Sequence, residues 1–180
     1  MASKVILYMA CSLNGKIARA NGSVDWLEKI ANPNQSDYGF QAFYKQMKYT
    51  IQGRSTYEQL VRWDIPFPYP STENYVITSK TAEPSLDVQF WRGSPGALIQ
   101  KLRSKGGGPI WLIGGGYTNT QFLNPGLIDE LRVFMMPVIL PDGISIFEGE
   151  PIEQYLTLIH HEVYESGVVE LRYNLMSQNT

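Results

Sequence analysis

The chain has 180 residues, of which 43% are hydrophobic and 12% aromatic, so it can bury a core and is too apolar to be disordered. Its 15 basic and 17 acidic residues give a net charge of -2, which excludes the basic excess typical of nucleic-acid-binding domains. Apolar runs are too short to span a membrane and no signal-peptide pattern opens the chain, so we expect one cytoplasmic domain over residues 1–180. The single cysteine, Cys11, excludes an internal disulfide and lies in an apolar run, where it is expected to belong to the core.

The amino-terminal part of the chain predicts a buried strand followed by a turn and a helix. Residues 5–11 are continuously apolar, which is typical of a central strand covered on both faces. The strand ends before Asn14-Gly15, a strong turn signal. A helix is predicted from Ser36, with Asp37 in its first turn, where a carboxylate favours the helix dipole. Its apolar stripe at helical spacing consists of Phe40, Phe43, Tyr44 and Met47.

The middle of the chain alternates strands with helices. Residues 49–52 predict a strand, and Gly53 turns it into a helix in which Ser55 and Glu58 have the spacing of a capping box. Further strands are predicted over residues 75–78, 88–91, 110–113 and 129–136, and further helices begin at Ser94-Pro95 and near Thr118.

A glycine-rich stretch stands between the strand at residues 110–113 and the helix near Thr118. Residues 106–117 hold six of the chain's 16 glycines. Three of them, Gly114-Gly115-Gly116, directly follow the strand, so bare backbone with free amide groups is available to bind phosphate oxygens. Taken alone, the same glycines are equally compatible with a tight turn and close packing of the helix on the sheet.

The carboxyl-terminal part predicts an antiparallel hairpin, with residues 155–165 and 169–175 joined at Ser166-Gly167. Strict alternation of apolar residues in the second strand indicates one face exposed to water. The adjacent His160 and His161 should point to opposite faces, so we expect no metal site there. The predicted fold is α/β with three layers: a mostly parallel central sheet flanked by helices, ending in this antiparallel hairpin.

Four of these stretches together resemble the dihydrofolate reductase fold, and more closely its branch that includes the reductase domain of bacterial riboflavin biosynthesis. The ordered set spans residue 5 to about residue 147. It consists of Ser12-Leu13-Asn14-Gly15-Lys16-Ile17-Ala18, Gly53-Arg54-Ser55-Thr56-Tyr57-Glu58, Val76-Ile77-Thr78-Ser79-Lys80, and Trp111-Leu112-Ile113-Gly114-Gly115-Gly116 followed by Ile128-Asp129-Glu130-Leu131.

The resemblance implies an NADPH-dependent hydride transfer to a small pyrimidine-like or pterin-like heterocycle. Arg54, at a strand-to-helix junction, would hold phosphate, and Ser79 and Lys80 would meet the adenosine 2′-phosphate and favour NADPH over NADH. Gly114 and Gly115 match a pair that the family joins by a cis peptide. The implied cofactor-binding residues are Ala10, Ile17, Gly53, Arg54, Ser55, Thr56, Thr78, Ser79, Lys80, Gly114, Gly115, Gly116 and Tyr117.

Asp37 is the candidate catalytic residue, as substrate anchor and proton manager. It precedes Gly53 by 53 minus 37, or 16 residues, which is the spacing implied by the resemblance for a carboxylate on the first long helix. Helix capping is the alternative role for Asp37, and Asp25 and Glu28 are competing carboxylates.

Two departures bear on the substrate. The leucine-proline-tryptophan triplet of true dihydrofolate reductases is absent near Trp26, which argues against folate, and the chain has no cysteine pair for a zinc deaminase domain. A non-catalytic nucleotide-binding protein of the same fold and a true dihydrofolate reductase remain alternatives. Homodimers occur in the riboflavin branch, and the apolar carboxyl-terminal hairpin would supply the contact surface.

Overall fold

The computed structural model describes residues 3–176 and contains one eight-stranded sheet, one two-stranded sheet and four α-helices among them. The strands are β1 (Val5–Ser12), β2 (Lys16–Ala18), β3 (Tyr49–Gly53), β4 (Glu73–Ile77), β5 (Gln89–Trp91), β6 (Ile110–Gly114), β7 (Glu130–Met136), β8 (Ile144–Ser145), β9 (Leu156–Val163) and β10 (Val169–Leu175). The helices are α1 (Phe40–Tyr44), α2 (Arg54–Arg62), α3 (Pro95–Ser104) and α4 (Gly116–Leu123), with a 3-10 turn at Leu27–Lys29.

The large sheet has the strand order β5-β4-β3-β6-β1-β7-β10-β9. Neighbouring strands are parallel from β5 to β7, and β10 and β9 join in antiparallel fashion. This confirms the predicted mostly parallel α/β sheet with an antiparallel edge. Because β3, β4 and β6 are parallel neighbours, their carboxyl ends lie at one edge of the sheet, where the loops and helix starts that follow them meet.

One face of the sheet carries the larger core. Leu7 and Ile51 of the sheet pack against Leu98 and Leu102 of α3 and Phe122 of α4, and all five are fully buried. Burying each such side chain contributes about 1.5–3 kcal/mol.

The start of α3 is as predicted, since the Ser94 side chain accepts a hydrogen bond from Ala97 N at 3.2 Å and Pro95 follows it. Cys11 is buried as expected, and its burial raises the pKa of the thiol to about 11.

The opposite face carries an aromatic layer under α1. Tyr8 of β1 stacks on Phe43 of α1 with ring centroids 4.2 Å apart, and Trp111 of β6 meets Phe43 edge-on at 5.7 Å. The Trp111 indole Nε1 donates to the Tyr8 carbonyl at 3.1 Å, so its polar atom is satisfied. α1 is therefore fixed over β1 and β6.

The predicted start of α1 and the predicted capping box of α2 are wrong. α1 begins at Phe40 rather than Ser36, because Tyr38 and Gly39 have φ of 52° and 75°, the left-handed conformation that a right-handed helix cannot include. α2 begins at Arg54 with Gly53 as its N-cap and no side-chain capping bond, so Ser55 and Glu58 do not form a capping box.

The carboxyl-terminal hairpin also differs from its prediction. β9 is the edge strand and is exposed along its whole length, on both faces. On β10, by contrast, Glu170 is completely buried although the alternation placed it on the wet face.

The short pair β2 and β8 was not predicted. Within residues 3–176, no helix is both long and apolar enough to cross a lipid bilayer.

Candidate functional site

Three strand ends form the floor of a groove at the carboxyl edge of the sheet. Gly53 at the end of β3 is in register with Ile77 of β4, and Gln52 is in register with Gly114 of β6. α2 starts directly after Gly53, and α4 starts at Gly116, two residues after β6 ends at Gly114. Helix amino termini present free N–H groups and a partial positive charge, so this edge favours negatively charged groups.

The glycines at this edge are required by close contacts. A Cβ atom on Gly53 would lie 2.3 Å from Thr118 Oγ1, and one on Gly116 would lie 2.3 Å from the Ser145 carbonyl oxygen. Gly114 has φ of +97°, and a Cβ there would lie 2.5 Å from Asn119 Oδ1. The Gly114-Gly115 peptide is cis, which confirms the expectation drawn from the resemblance.

Thr56 connects α2 to the cis-linked glycines. Its hydroxyl donates to the Gly114 carbonyl at 3.3 Å and accepts from Gly115 N at 3.0 Å. The same side chain therefore fixes the position of the glycine turn relative to the start of α2.

Arg54 lies along the groove and is held at both ends of its guanidinium. Its Nε donates to Glu58 Oε1 at 2.7 Å, and its Nη1 donates to the Thr81 carbonyl at 3.1 Å. The hydrogen bond from Arg54 keeps the pKa of the Glu58 carboxyl below its ordinary value, so Glu58 is ionised at neutral pH. Beyond Arg54, Ser79 and Lys80 are exposed after β4, where Thr78 Oγ1 accepts from Lys80 N at 3.1 Å.

The groove consists of two adjoining cavities of about 410 and 360 Å³. Both are lined by Arg54, Ser55 and Tyr117. The structure thus brings together most of the predicted cofactor residues: Gly53, Thr56, Gly115 and Gly116 line the first cavity, and Thr78, Ser79 and Lys80 line the second.

The first cavity is roofed by the turn at residues 19–23, which sequence reasoning did not place there. Ala20, Asn21 and Gly22 line it, and the Gln59 side chain of α2 donates to the Gly22 carbonyl. Thr118, Ile144 and Glu148 also line it and were missed, since none belongs to a recognisable motif.

Ala10 and Ile17, expected on the nicotinamide side, line neither cavity. Ala10 is half-buried beside Phe134, and Ile17 packs on the larger core. The loop between them is well anchored, because Asn14 accepts from Leu140 N at 3.1 Å and donates to the Leu140 carbonyl at 2.7 Å.

Asp37 lies outside the groove, above the aromatic layer. It is exposed, and its two carboxylate oxygens accept from Gly39 N and Gln41 N, each at 3.0 Å. The hydrogen bond from Gln41, then that from Gly39, lowers the pKa of the Asp37 carboxyl. The carboxylate therefore stabilises the start of α1 and is ionised at neutral pH, so it is not poised as a proton donor in this conformation.

The two competing carboxylates are also accounted for. Asp25 is paired with Arg19, whose Nε lies 2.5 Å from Asp25 Oδ1, and this contact lowers the pKa of the Asp25 carboxyl. Glu28 is exposed on the 3-10 turn.

The two adjacent histidines of β9 face opposite ways, as predicted. His160 is opposite Arg172 of β10 and His161 is opposite Leu171.

A buried charged cluster beneath α1 was missed altogether. Glu170 of β10 accepts from Arg132 Nε at 2.5 Å and from Arg172 Nε, and Tyr164 donates to its other oxygen at 3.1 Å. Burial raises the pKa of the Glu170 carboxyl, but the bonds from Arg172 and Arg132 outweigh it and hold the pKa below the ordinary value. Arg132 is adjacent to Tyr8, with its guanidinium carbon 5.2 Å from the ring centroid.

Comparisons with known proteins agree with this architecture. The curated relatives include the uncharacterized proteins YwjB and YyaP of Bacillus subtilis (strain 168), which are 35% and 30% identical to this chain over 88% and 95% of it, and over 90% and 94% of their own lengths. A crystal structure from Shewanella sp. PV-4, provisionally named a riboflavin biosynthesis protein, matches with a TM-score of 0.88 at 28% identity, covering 96% of this chain and 99% of that one.

More distant structures share the fold. The Thermotoga maritima diaminohydroxyphosphoribosylaminopyrimidine deaminase/5-amino-6-(5-phosphoribosylamino)uracil reductase has a TM-score of 0.73 at 15% identity, covering 97% of this chain and 57% of that one. Enterococcus faecalis dihydrofolate reductase, solved with NADP(H), has a TM-score of 0.65 at 15% identity, covering 97% and 98%. The RibD C-terminal domain pattern matches residues 3–170. The chain has a dihydrofolate reductase-like fold and belongs to the RibD C-terminal domain family.

Proposed function

We propose that the protein is an NADPH-dependent reductase of a small pyrimidine-like or pterin-like heterocycle. The observation that carries this proposal is the continuous groove in which the starts of α2 and α4, the cis-linked glycines and the basic residues Arg54 and Lys80 converge. Bound NADPH would supply the hydride, so the protein has to orient it and exclude water.

The residues of the groove fit a dinucleotide phosphate. The starts of α2 and α4 would hold the pyrophosphate, because both helix starts line the first cavity and helix amino termini favour phosphate. Arg54 and Lys80 would hold the 2′-phosphate of the adenosine. NADPH carries a 2′-phosphate dianion where NADH has a neutral 2′-hydroxyl. Exposed cations attract the dianion more strongly, so we expect at least tenfold preference for NADPH over NADH.

The substrate would bind at the solvent-exposed start of α1, next to Asp37. Asp37 remains the candidate substrate anchor, and its ionised state suits it to accept hydrogen bonds from the N–H groups of a heterocycle. Its exposure means that a bound heterocycle must approach it from the solvent side of α1.

Binding and turnover test this function separately. NADPH titrated into the protein should quench tryptophan fluorescence with saturation well below millimolar concentration, and NADH should do so at higher concentration. The absence of NADPH binding at millimolar concentration would refute the proposal. NADPH oxidation should then be measured with dihydrofolate, dihydropterins and 5-amino-6-(5-phosphoribosylamino)uracil. NADPH binding without turnover would favour the non-catalytic alternative, and turnover with dihydrofolate alone would favour a true dihydrofolate reductase.

We also propose a homodimer formed through β9. This edge strand exposes Leu156, Leu158 and Val163 on the face that they share with Tyr173 of β10, and exposed apolar edges of this kind are normally covered. Light scattering should give twice the mass of the chain, and Leu158→Lys should give the monomer. A monomeric wild-type protein would contradict the proposal.

A further inference from the structure

Asp37 belongs to a loop, residues 32–39, whose backbone has an uncommon conformation. Gln35 and Tyr38 have φ of 48° and 52°, and Gly39, the residue before α1, has φ of 75°. A bulky residue is rare in this left-handed region and persists there only where surrounding contacts determine its conformation. Tyr38 lies between Asp37 and Gly39, whose N–H donates to the Asp37 carboxylate at 3.0 Å. The contacts that hold Tyr38 therefore also determine where this carboxylate lies.

Tyr38 is held by the turn that joins β9 to β10, residues 164–168. Its hydroxyl donates to Ser166 Oγ at 3.1 Å, and its ring meets the ring of Tyr164 edge-on with the centroids 4.9 Å apart. A second bridge joins the same two segments, because Asn34 Nδ2 donates to Glu165 Oε2 at 2.7 Å. The loop that carries Asp37 is thus fixed by the carboxyl-terminal hairpin.

The turn at residues 164–168 is itself well anchored. Val168 is fully buried, and Gly167 N donates to the Tyr164 carbonyl at 2.9 Å, which closes the turn. The Tyr164 hydroxyl donates to the buried carboxylate of Glu170 at 3.1 Å, and Arg132 donates to the other oxygen of that carboxylate. The turn is therefore tied to the interior of the protein, so it can serve as a support for the loop.

The loop and the turn leave space between them. A cavity of about 270 Å³ is lined by residues of both segments, among them Pro33 and Ser36 of the loop and Tyr164 and Glu165 of the turn. Because the two segments are not packed solidly against each other, the hydrogen bonds that join them contribute much of what fixes the loop. Losing one such bond should lower the population of the ordered loop about fivefold.

We propose that Tyr38, held by Ser166 of the turn, positions the Asp37 carboxylate for the substrate. The inference rests on the proposed function and deepens it, because it adds a residue that acts on the heterocycle through Asp37. With the loop held in one conformation, the heterocycle meets a carboxylate whose two oxygens already have fixed directions. Substrate binding then does not have to order the loop first, and the apparent affinity is higher by the corresponding factor.

Tyr38→Phe tests this role, because it removes the hydroxyl and keeps the ring. The substrate is whichever of dihydrofolate, a dihydropterin or 5-amino-6-(5-phosphoribosylamino)uracil the wild-type protein reduces. We expect its KM to rise about fivefold, while kcat and the dissociation constant of NADPH stay within about twofold of wild type. Ser166→Ala removes the acceptor of the same hydrogen bond, so it should have the same effect, and the double variant should have no more. An unchanged KM in both single variants would overturn the proposal.

Tyr57→Phe is the matched control. The Tyr57 hydroxyl donates to Ser85 Oγ at 3.4 Å, and its ring packs edge-on against Phe90 of β5, at the opposite edge of the sheet from the hairpin. We expect this variant to keep the wild-type KM. An equal rise of KM in Tyr57→Phe, or equal weakening of NADPH and heterocycle binding in Tyr38→Phe, would assign Tyr38 to stability only.

Amide hydrogen exchange tests the same link without turnover. Gly39 N and Gln41 N donate to the Asp37 carboxylate, so their exchange should be about fivefold faster in Tyr38→Phe and unchanged in Tyr57→Phe. If the wild-type protein neither binds NADPH nor reduces any of the three heterocycles while this exchange still depends on Tyr38, the reductase proposal fails and the positioning of Asp37 stands. Wild-type exchange rates in Tyr38→Phe would refute the positioning itself.

Discussion

The two halves of the sheet are built on different principles. At the carboxyl ends of β3, β4 and β6 the backbone itself forms the site, with glycines where a side chain would collide and helix starts that favour negative charge. On the face formed by β1, β7 and β10 the side chains form a packed layer, with aromatic rings around the Arg132–Glu170 ion pair. The groove at the strand ends is open to solvent, whereas the side-chain face is nearly closed to it.

This difference indicates which half should tolerate change. A groove made of backbone binds any ligand with phosphates in the right place, which suits a cofactor shared by many enzymes. A face made of interlocked side chains is specific, because each group is held by others from distant parts of the chain. Substitutions in the second half should therefore cost more stability, and those in the first should act mainly on binding.

Glu170→Ala should give the largest loss of stability. It removes the buried carboxylate that accepts from Arg132 and Arg172, and breaking a buried pair in this way costs about 3–5 kcal/mol. Urea unfolding followed by circular dichroism measures the change. A loss below about 1 kcal/mol, the range of surface ion pairs, would mean that water satisfies the two arginines.

The same pair predicts how stability depends on pH. The pKa of Glu170 is lower in the folded protein than its ordinary value of 4.5, so its contribution is present above pH 4.5 and is lost as the pH falls towards the folded pKa. The wild-type protein should thus lose stability below pH 4.5. Glu170→Gln should flatten this part of the profile, and an unchanged acid profile would contradict the assignment.

Gly116→Ala should have the next largest effect. The new Cβ would lie 2.3 Å from the Ser145 carbonyl, a backbone atom that can move only with its strand, so we expect a loss of about 1–3 kcal/mol and weaker NADPH binding. Gly96→Ala on α3 is the matched control, because no atom lies within 4 Å of its new Cβ, and it should raise stability by about 0.5–1 kcal/mol. Equal effects of the two variants would mean that the β6–α4 turn relaxes freely.

Lys80→Gln should act on cofactor choice alone. Lys80 is exposed after β4 and lines the second cavity, so its loss should weaken NADPH binding about fivefold and leave NADH binding unchanged. Arg103→Gln on α3, outside the groove, should change neither. Parallel weakening of both dinucleotides by Lys80→Gln would place the pyrophosphate, rather than the 2′-phosphate, next to this residue.

The same contrast explains what sequence reasoning could reach. The groove follows from contiguous stretches, since a strand, a glycine and a helix start occupy neighbouring positions in the chain, and Gly53-Arg54 and Gly114-Gly115-Gly116 were all placed at one edge. The mostly parallel direction of the central strands followed from the alternation of strands and helices along the chain, whereas the order of the strands was not predicted. These features are local, so one segment of sequence contains the information.

The charged face could not be reached in this way. Arg132 and Glu170 are on separate strands, and their contact depends on the register of β7 with β10, in which Arg132 is opposite Arg172. Alternation correctly put Glu170 on the face opposite Leu171, but it could not reveal that Arg132 would cover it. The late start of α1 was missed for a related reason, because left-handed Tyr38 has no signature in its residue type.

Asp37→Asn should have the smallest effect on folding and is the variant that decides whether α1 belongs to the active site. Asparagine keeps one of the two acceptor oxygens and is as good a residue as aspartate at a helix start, so the thermal midpoint should fall only slightly and NADPH affinity should stay close to wild type. If the carboxylate anchors the heterocycle, turnover should nevertheless be lost, because a neutral amide cannot replace an ionised acceptor for two N–H donors. Steady-state NADPH oxidation with the active substrate of the panel measures this. Unchanged turnover would leave Asp37 as a helix cap only.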